Sequence, residues 1–241
     1  MTPGLQFGVD SGAPVNTTRL DAVAKWAGTP PRWWGRYLGT GGGAATPLTA
    51  SEAALLHARG VAIALVFNDV DRRELATRQQ GITAAQEAVR QAKALGVPQQ
   101  TTLYADIEYG WPLTAAWLIG WAQGVLAADY TAGVYLDPAD IAVQRALGYL
   151  HVVKPTVVAM RLREPALAGQ LRLWDALWLH GGEWTARHGD RISTPPWIHL
   201  PPSEATTQTG LWQFSGPSCS GMVDLNLLDP AATPAPILWT R

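Results

Sequence analysis

VAIALVFND (61–69) is followed in the sequence by GITAAQEAVRQAKALG (81–96) and then by TTLYADIE (101–108), and these three segments indicate the fold class. The first is a nearly continuous apolar run, which is typical of a parallel strand covered on both faces. The second has helical spacing and ends at a glycine, and the third is another strand-like run. Strand, helix and strand in this order predict a βαβ unit and an α/β fold.

The same alternation continues along the rest of the chain. Further helical patterns span 17–28, 48–60, 112–128 and 138–150. The second of these begins with Thr49 followed three residues later by Glu52, which predicts a capping box. The eight candidate strands are 5–10, 33–39, 61–69, 101–108, 131–137, 155–161, 175–181 and 209–216.

Eight strands, most of them followed by helices, favour a closed barrel over an open doubly wound sheet. An open sheet of the dinucleotide-binding kind needs a G-x-G-x-x-G loop after a strand, and none is present. The glycine-rich GTGGG (39–43) lacks the lysine of a phosphate loop and is interpreted as a flexible loop over the barrel mouth. We predict a single (β/α)8 TIM-type barrel domain over residues 1–241, irregular in its last units, where Pro and Gly are scattered from 181 to 202.

The composition excludes several classes of protein. The chain is 47% hydrophobic and 15% charged, which predicts a folded core and no extensive disorder. Its formal net charge is −1 and its basic residues do not cluster, so no nucleic-acid partner is expected. Cys219 is the only cysteine, which excludes an internal disulfide and a cysteine-based metal site.

The N-terminal MTPGLQFGVDSG lacks the basic and apolar regions of a secretory signal, and no stretch reaches the roughly 18 apolar residues of a membrane span. We therefore expect a protein without a signal peptide or a membrane span. It is expected to be a monomer that is cytoplasmic, or that is released by lysis or a non-classical route.

Two carboxylates stand at the end of the fourth predicted strand. Asp106 and Glu108 are two residues apart, so their side chains lie on the same face. Two like charges on one face cost stability unless water, a partner or a function accepts them. The other polar residues at or after strand ends, where barrel enzymes place their chemistry, are Asp10, Arg36, Tyr37, Asn68, Asp69, Tyr135, Asp137, His180, Gln213 and Asp224.

Clustered carboxylates support either metal-assisted hydrolysis or proton transfer to a glycosidic bond. Only His180 among the histidines falls near the predicted site, which makes a transition-metal centre less favoured. No G-x-S-x-G elbow is present, and Cys219 stands in a Ser/Gly/Pro-rich loop. We predict no metal site and no cofactor.

Several segments in the same order resemble a known family. They are GVDSG (8–12), RYLG (36–39), LTASEAALLHARGVAIALVF (48–67), GITAAQEAVRQAKALGVP (81–98), LYADIE (103–108), AGVYLD (132–137), LWQFSG (211–216) and DLN (224–226). They resemble the glycoside-hydrolase-like family called domain of unknown function 1906, which is similar to the family 25 glycoside hydrolases, the barrel-shaped lysozymes. The resemblance implies that the catalytic acids are Asp10, Asp106, Glu108 and Asp224.

The resulting hypothesis is a glycoside hydrolase acting on N-acetylated, peptidoglycan-like cell-wall polysaccharide. Glu108 is the general acid, and Asp106 stabilises the transition state or the substrate acetamido group. The substrate-binding candidates are Tyr37, Arg36, Asn68, Asp69, Tyr135, Trp178 and Gln213. The alternatives are a non-catalytic carbohydrate-binding barrel and, less favoured, a metal-dependent hydrolase.

Overall fold

The computed structural model describes residues 6–108, 111–136, 160, 163–176, 209–232 and 236–241. Within them eight strands form one closed barrel in sequence order. The strands are β1 (Gln6–Asp10), β2 (Trp33–Tyr37), β3 (Ala62–Phe67), β4 (Thr102–Ile107), β5 (Thr131–Leu136), β6 (Arg172–Ala176), β7 (Thr209–Ser218) and β8 (Val223–Leu228).

Neighbouring strands from β1 to β7 run parallel, as βαβ connections require. The last strand is the exception, because β8 pairs antiparallel with both β7 and β1. A four-residue link joins β7 to β8, and its residues Cys219, Ser220 and Gly221 all have positive φ. The barrel therefore closes through a β-hairpin, which places residues near the C-terminus beside β1.

The described helices lie between strands, and four of them begin at a side chain that caps the first turn. Asn16, Thr49, Thr77 and Thr114 each accept a hydrogen bond from the backbone N–H three residues later. Such caps satisfy backbone donors that the helix itself leaves free. The helices are α1 (Thr17–Ala27), α2 (Ala50–Ala58), α3 (Arg78–Ala94), α4 (Ala115–Leu126) and the short α5 (Pro165–Ala168).

The buried side chains form two layers, one between the sheet and the helices and one inside the barrel. Trp174 lies at the centre of the inner layer. Its ring makes edge-to-face contacts with Trp33, Tyr104 and Tyr135, at centroid distances of 5.5, 5.4 and 5.7 Å. This arrangement is the favourable geometry for aromatic pairs and fills the barrel below its mouth.

The predicted α/β barrel with irregular last units is confirmed, but the assignment of the last three strands is corrected. The strand beside β5 is β6 and not the predicted strand at 155–161. Met160 of that segment is helical, and its other residues lie outside the described part of the chain. The candidate at 175–181 overlaps only the end of β6, and the candidate at 209–216 is β7. The sequence analysis did not predict β8.

None of the described helices has the length and apolar character needed to cross a membrane.

Candidate active site

Asp106 and Glu108 occupy the carboxyl end of β4, at the barrel mouth. Asp106 is half-buried and lies beside Tyr135 of β5 in the strand register, whereas Glu108 is exposed. Their side chains are close enough for the charge of Glu108 to raise the pKa of Asp106, after the larger effect of burial. Glu108 is thus accessible to a ligand, and Asp106 lies deeper on the same wall.

The other two predicted acids come from the strands that close the barrel. Asp10 on β1 and Asp224 on β8 are direct partners in the antiparallel register. Asp10 is only 4% exposed, and Asp224 is partly exposed. Closure of the barrel therefore brings together two acids that are more than two hundred residues apart in the sequence.

The four carboxyl groups form one electrostatic unit, which we call the acid cluster: Asp10, Asp106, Glu108 and Asp224. Burial raises the pKa of each of them. The charge of Asp10 further raises the pKa of the other three, and Glu108 also acts on Asp106 and Asp224. The pKa of Asp224 reaches about 8. Near neutral pH the cluster therefore retains protons, because its members cannot all ionise together.

Two tyrosines border the acid cluster. Burial and then the negative charges of all four acids raise the pKa of Tyr37 well above its ordinary value. The pKa of Tyr135 is also raised by burial and by nearby acids, and its hydroxyl donates to Oε1 of Gln213 at 2.8 Å. Both phenols are therefore neutral, so each offers an aromatic face and a polar oxygen of the kind that sugars contact.

Two side-chain amides donate hydrogen bonds to Asp10. Nε2 of Gln213 and Nδ2 of Asn226 both donate to Oδ2 of Asp10, at 3.0 and 2.6 Å. Asn226 in turn accepts a hydrogen bond from Nε1 of Trp174 at 2.9 Å. The inner aromatic layer and the acid cluster are therefore connected by hydrogen bonds.

Gly35 of β2 makes room for this arrangement. A Cβ atom at this position would lie 2.6 Å from Cβ of Asp10 and 2.6 Å from Cη2 of Trp174. Both distances are far below van der Waals contact, and both neighbours belong to the buried network. Only glycine at position 35 lets Asp10 and Trp174 adopt their observed positions.

The family model of the Rv2525c-like, glycoside hydrolase-like domain matches residues 24–217. The chain belongs to this family. The family resemblance inferred from the sequence is thereby confirmed. Asp106 and Glu108 lie inside the matched residues, whereas Asp10 and Asp224 lie outside them. No curated protein matches the sequence significantly.

Several solved structures have the same fold as this chain. An uncharacterized B. stearothermophilus protein is 27% identical, with 93% of this chain and 96% of that chain covered and a TM-score of 0.76. The Tat-secreted protein Rv2525c of Mycobacterium tuberculosis is 16% identical, with 98% and 99% covered and a TM-score of 0.55. A bacterial lysozyme from Streptomyces coelicolor is 14% identical, with 96% and 95% covered and a TM-score of 0.52. The last two share the fold.

Arg36 was predicted to bind substrate, and the structure shows that this is wrong. Its side chain is fully buried on the helix-facing side of β2, where Nε donates to Oε1 of Glu52 at 2.5 Å. It also donates to the backbone carbonyls of Ser11 and Thr46. A fully buried guanidinium that is committed to these partners cannot contact a sugar at the barrel mouth.

The prediction that Gln213 binds substrate is also wrong, because only 2% of the residue is exposed and its amide donates a hydrogen bond to Asp10.

Asn68 and Asp69 hold the glycine-rich loop at the end of β2. Oδ1 of Asn68 accepts from the N–H of Gly39, and Oδ1 of Asp69 accepts from the N–H groups of Thr40 and Gly41. Loop anchoring is therefore the observed role of both, and GTGGG is a tethered loop.

Trp178, Asp137 and His180 lie outside the residues that the structure describes. Sequence reasoning missed Asn226, Trp174 and Gly35 as parts of the site. The first had a usable signal, because Asp224 and Asn226 alternate with apolar residues in VDLNLL, as strand residues facing one side do. Trp174 and Gly35 carry no comparable local signal.

Among the residues that the structure describes, no group of three or more His, Cys, Asp or Glu side chains is arranged to hold a metal ion.

Proposed function

We propose that this chain is a glycoside hydrolase that acts on N-acetylated polysaccharide of the bacterial cell wall, of the peptidoglycan type. The observation that carries the proposal is the acid cluster, in which Glu108 is exposed at the barrel mouth while its pKa is raised. A general acid must be accessible to the glycosidic oxygen and must favour its protonated form, and the exposure and raised pKa of Glu108 meet both requirements.

Glu108 acts as the general acid and donates its proton to the leaving glycosidic oxygen. Desolvation at the mouth, followed by the negative charge of Asp10, raises the pKa of Glu108. Both effects favour the protonated form in the free protein. Because Glu108 is the exposed member of the acid cluster, it is the one a polysaccharide reaches first.

Asp106 lies on the same wall below Glu108 and interacts with the sugar that carries the developing positive charge. In one form of the mechanism it stabilises the oxocarbenium-like transition state, since a cation beside Asp106 favours its ionised form. In the other it orients the substrate acetamido group, which attacks in place of an enzyme nucleophile. Tyr37 and Tyr135 contribute sugar contacts on either side.

The substrate class is supported by the proteins that share the fold. One is the Streptomyces coelicolor bacterial lysozyme, and another is the Clostridium perfringens spore cortex lytic enzyme SleM, 13% identical with 98% of this chain and 70% of that chain covered and a TM-score of 0.55. Fold alone does not establish a reaction, so the acid cluster remains the primary argument.

The test is turnover of purified peptidoglycan and of chitin-type oligosaccharides by the wild type and by Glu108→Gln. We expect the substitution to reduce turnover by about 10²–10⁴-fold, the usual contribution of a general acid. The matched control is Glu74→Gln, which changes an exposed glutamate in the loop between β3 and α3 and should leave turnover unchanged.

Three outcomes contradict the proposal. Saturable binding of cell-wall fragments without new reducing ends, for both wild type and variant, identifies a carbohydrate-binding barrel instead. Activity that is abolished by a chelator and restored by a divalent ion identifies a metal-dependent hydrolase. Equal turnover of Glu108→Gln and wild type removes Glu108 from the acid role.

A further inference from the structure

The amide of Asn226 has its orientation fixed by Trp174. An indole N–H can only donate, so Nε1 of Trp174 must face the carbonyl oxygen of Asn226, to which it is hydrogen-bonded at 2.9 Å. The NH₂ group of Asn226 then necessarily points at Oδ2 of Asp10, 2.6 Å away. Asn226 is 0% exposed, so water cannot substitute for either partner. The site therefore presents an N–H donor to Asp10 whatever the pH.

A second donor reaches the same oxygen of Asp10. Nε2 of Gln213 donates to Oδ2 at 3.0 Å, while Oε1 of Gln213 accepts from the Tyr135 hydroxyl. A carboxylate oxygen that receives two N–H hydrogen bonds is stabilised in its ionised form. Among the described residues, no side chain or backbone group donates a hydrogen bond to the carboxyl groups of Asp106, Glu108 or Asp224.

We propose that Asp10 holds the resident negative charge of the acid cluster, and that Asn226 and Gln213 are positioning residues that keep Asp10 ionised so that Glu108 retains its proton. This inference rests on the proposed function for its catalytic meaning. The charge assignment itself concerns the free protein and is testable without a substrate. It adds to the sequence-based hypothesis, in which Asp106 stabilises the transition state or the substrate acetamido group and the charge state of Asp10 is not assigned.

The surroundings of Asp10 are consistent with this assignment. Burial raises the pKa of Asp10 above its ordinary value, and the hydrogen bonds from Gln213 and Asn226 and the positive charge of Arg36 reduce that rise. By contrast, the pKa of Asp106 is raised well above its ordinary value by burial and by two acids. The titratable and charged groups around Asp10 are Tyr37 and Arg36 on β2, Asp106 and Glu108 on β4, Tyr135 on β5 and Asp224 on β8.

The test is a pH titration of the side-chain carboxyl ¹³C resonances of the full chain, assigned with Asp10→Asn, Asp106→Asn, Glu108→Gln and Asp224→Asn. We expect Asp10 to ionise first of the four as the pH rises. Gln213→Met removes one donor with little change in volume. It should raise the midpoint of Asp10 and lower that of Glu108, each by about one pH unit. Asn226→Leu should act in the same direction.

The matched control is Gln123→Met, which changes an amide on α4 that accepts from Nε of Arg78 and should leave every midpoint of the acid cluster in place. If Asn226→Leu does not fold, the result for Gln213→Met alone tests the charge assignment. Ionisation of Asp106 before Asp10, or unchanged midpoints in Gln213→Met, overturns the inference. If Asp10 ionises first but the wild type turns over no polysaccharide, the proposed function is wrong and the charge assignment still holds.

In an active protein the same change appears in the pH–rate profile. When Asp10 loses its charge, the pKa of Glu108 falls, and the basic limb of the profile moves to lower pH in Gln213→Met. A purely structural role for Gln213 would instead scale the whole profile down without moving that limb.

Discussion

At the scale of single residues, the site depends on the absence of a side chain at Gly35 as much as on its acids. Gly35→Ala places a Cβ 2.6 Å from both Asp10 and Trp174, and neither can retreat without disturbing the hydrogen bonds through Asn226. We expect the free energy of unfolding to fall by about 1–3 kcal/mol, the usual effect of overpacking. Turnover should fall as well, because Asp10 is displaced. Denaturant unfolding and the polysaccharide assay measure the two effects.

The control for this substitution is Gly169→Ala at the end of α5. There a Cβ would meet its nearest neighbours at 3.5 Å, which is ordinary contact, and the backbone φ is −63°. Equal effects of the two substitutions would show that the narrow space beside Asp10 has no special importance.

At the scale of elements, β2 is joined to α2 by the buried ion pair of Arg36 and Glu52. Arg36→Met leaves the Glu52 carboxylate buried beside only the N–H of Val15, which donates to it at 2.8 Å. We expect the free energy of unfolding to fall by about 3–5 kcal/mol, as when one partner of a buried pair is removed. Thermal and denaturant unfolding are the measurements.

An exposed pair provides the comparison. Asp71 and Arg73 form a salt bridge on the surface, in the loop after β3, and Asp71→Asn should leave the unfolding midpoint unchanged within error. A loss of stability in Arg36→Met no larger than in Asp71→Asn would mean that the buried pair does not hold β2 and α2 together.

The Arg36–Glu52 pair also shows that a local sequence motif can predict the wrong partner for a side chain. Thr49 and Glu52 have the spacing of a capping box, and the half of the box made by Thr49 is present, since its hydroxyl accepts from the N–H of Glu52. The carboxylate of Glu52 turns instead to Arg36 and Val15. Spacing along a helix identifies which partner is in reach, but it cannot reveal a stronger one supplied by a neighbouring strand.

At the scale of the whole molecule, the acid cluster makes stability depend on pH. The pKa of Asp224 is about 8 in the folded protein, and the pKa of an unfolded aspartate is near the ordinary value of 3.8. Between these values the folded state binds more protons, so the free energy of unfolding decreases as the pH rises from about 4 to 8. We expect Asp224→Asn to be more stable than the wild type at pH 8, by about 1–3 kcal/mol.

The difference between Asp224→Asn and wild type should vanish below about pH 3, where the carboxyl group is protonated in both states. Urea unfolding at several pH values measures it. A wild type that becomes more stable from pH 4 to 8, or a variant with the same effect at every pH, would contradict the predicted protonation of Asp224.

The local features of this protein can be predicted from its sequence alone. The βαβ order follows from apolar runs alternating with helical spacing, and the shared face of Asp106 and Glu108 follows from the two-residue period of a strand, because both depend only on neighbours in the chain. The positions of β6 and β8 depend on the tertiary structure, and so do the contact of Arg36 with Glu52 and that of Asn226 with Asp10. That last contact joins residues 216 positions apart. It exists because the barrel closes in one register, and that register is selected by packing of the whole core.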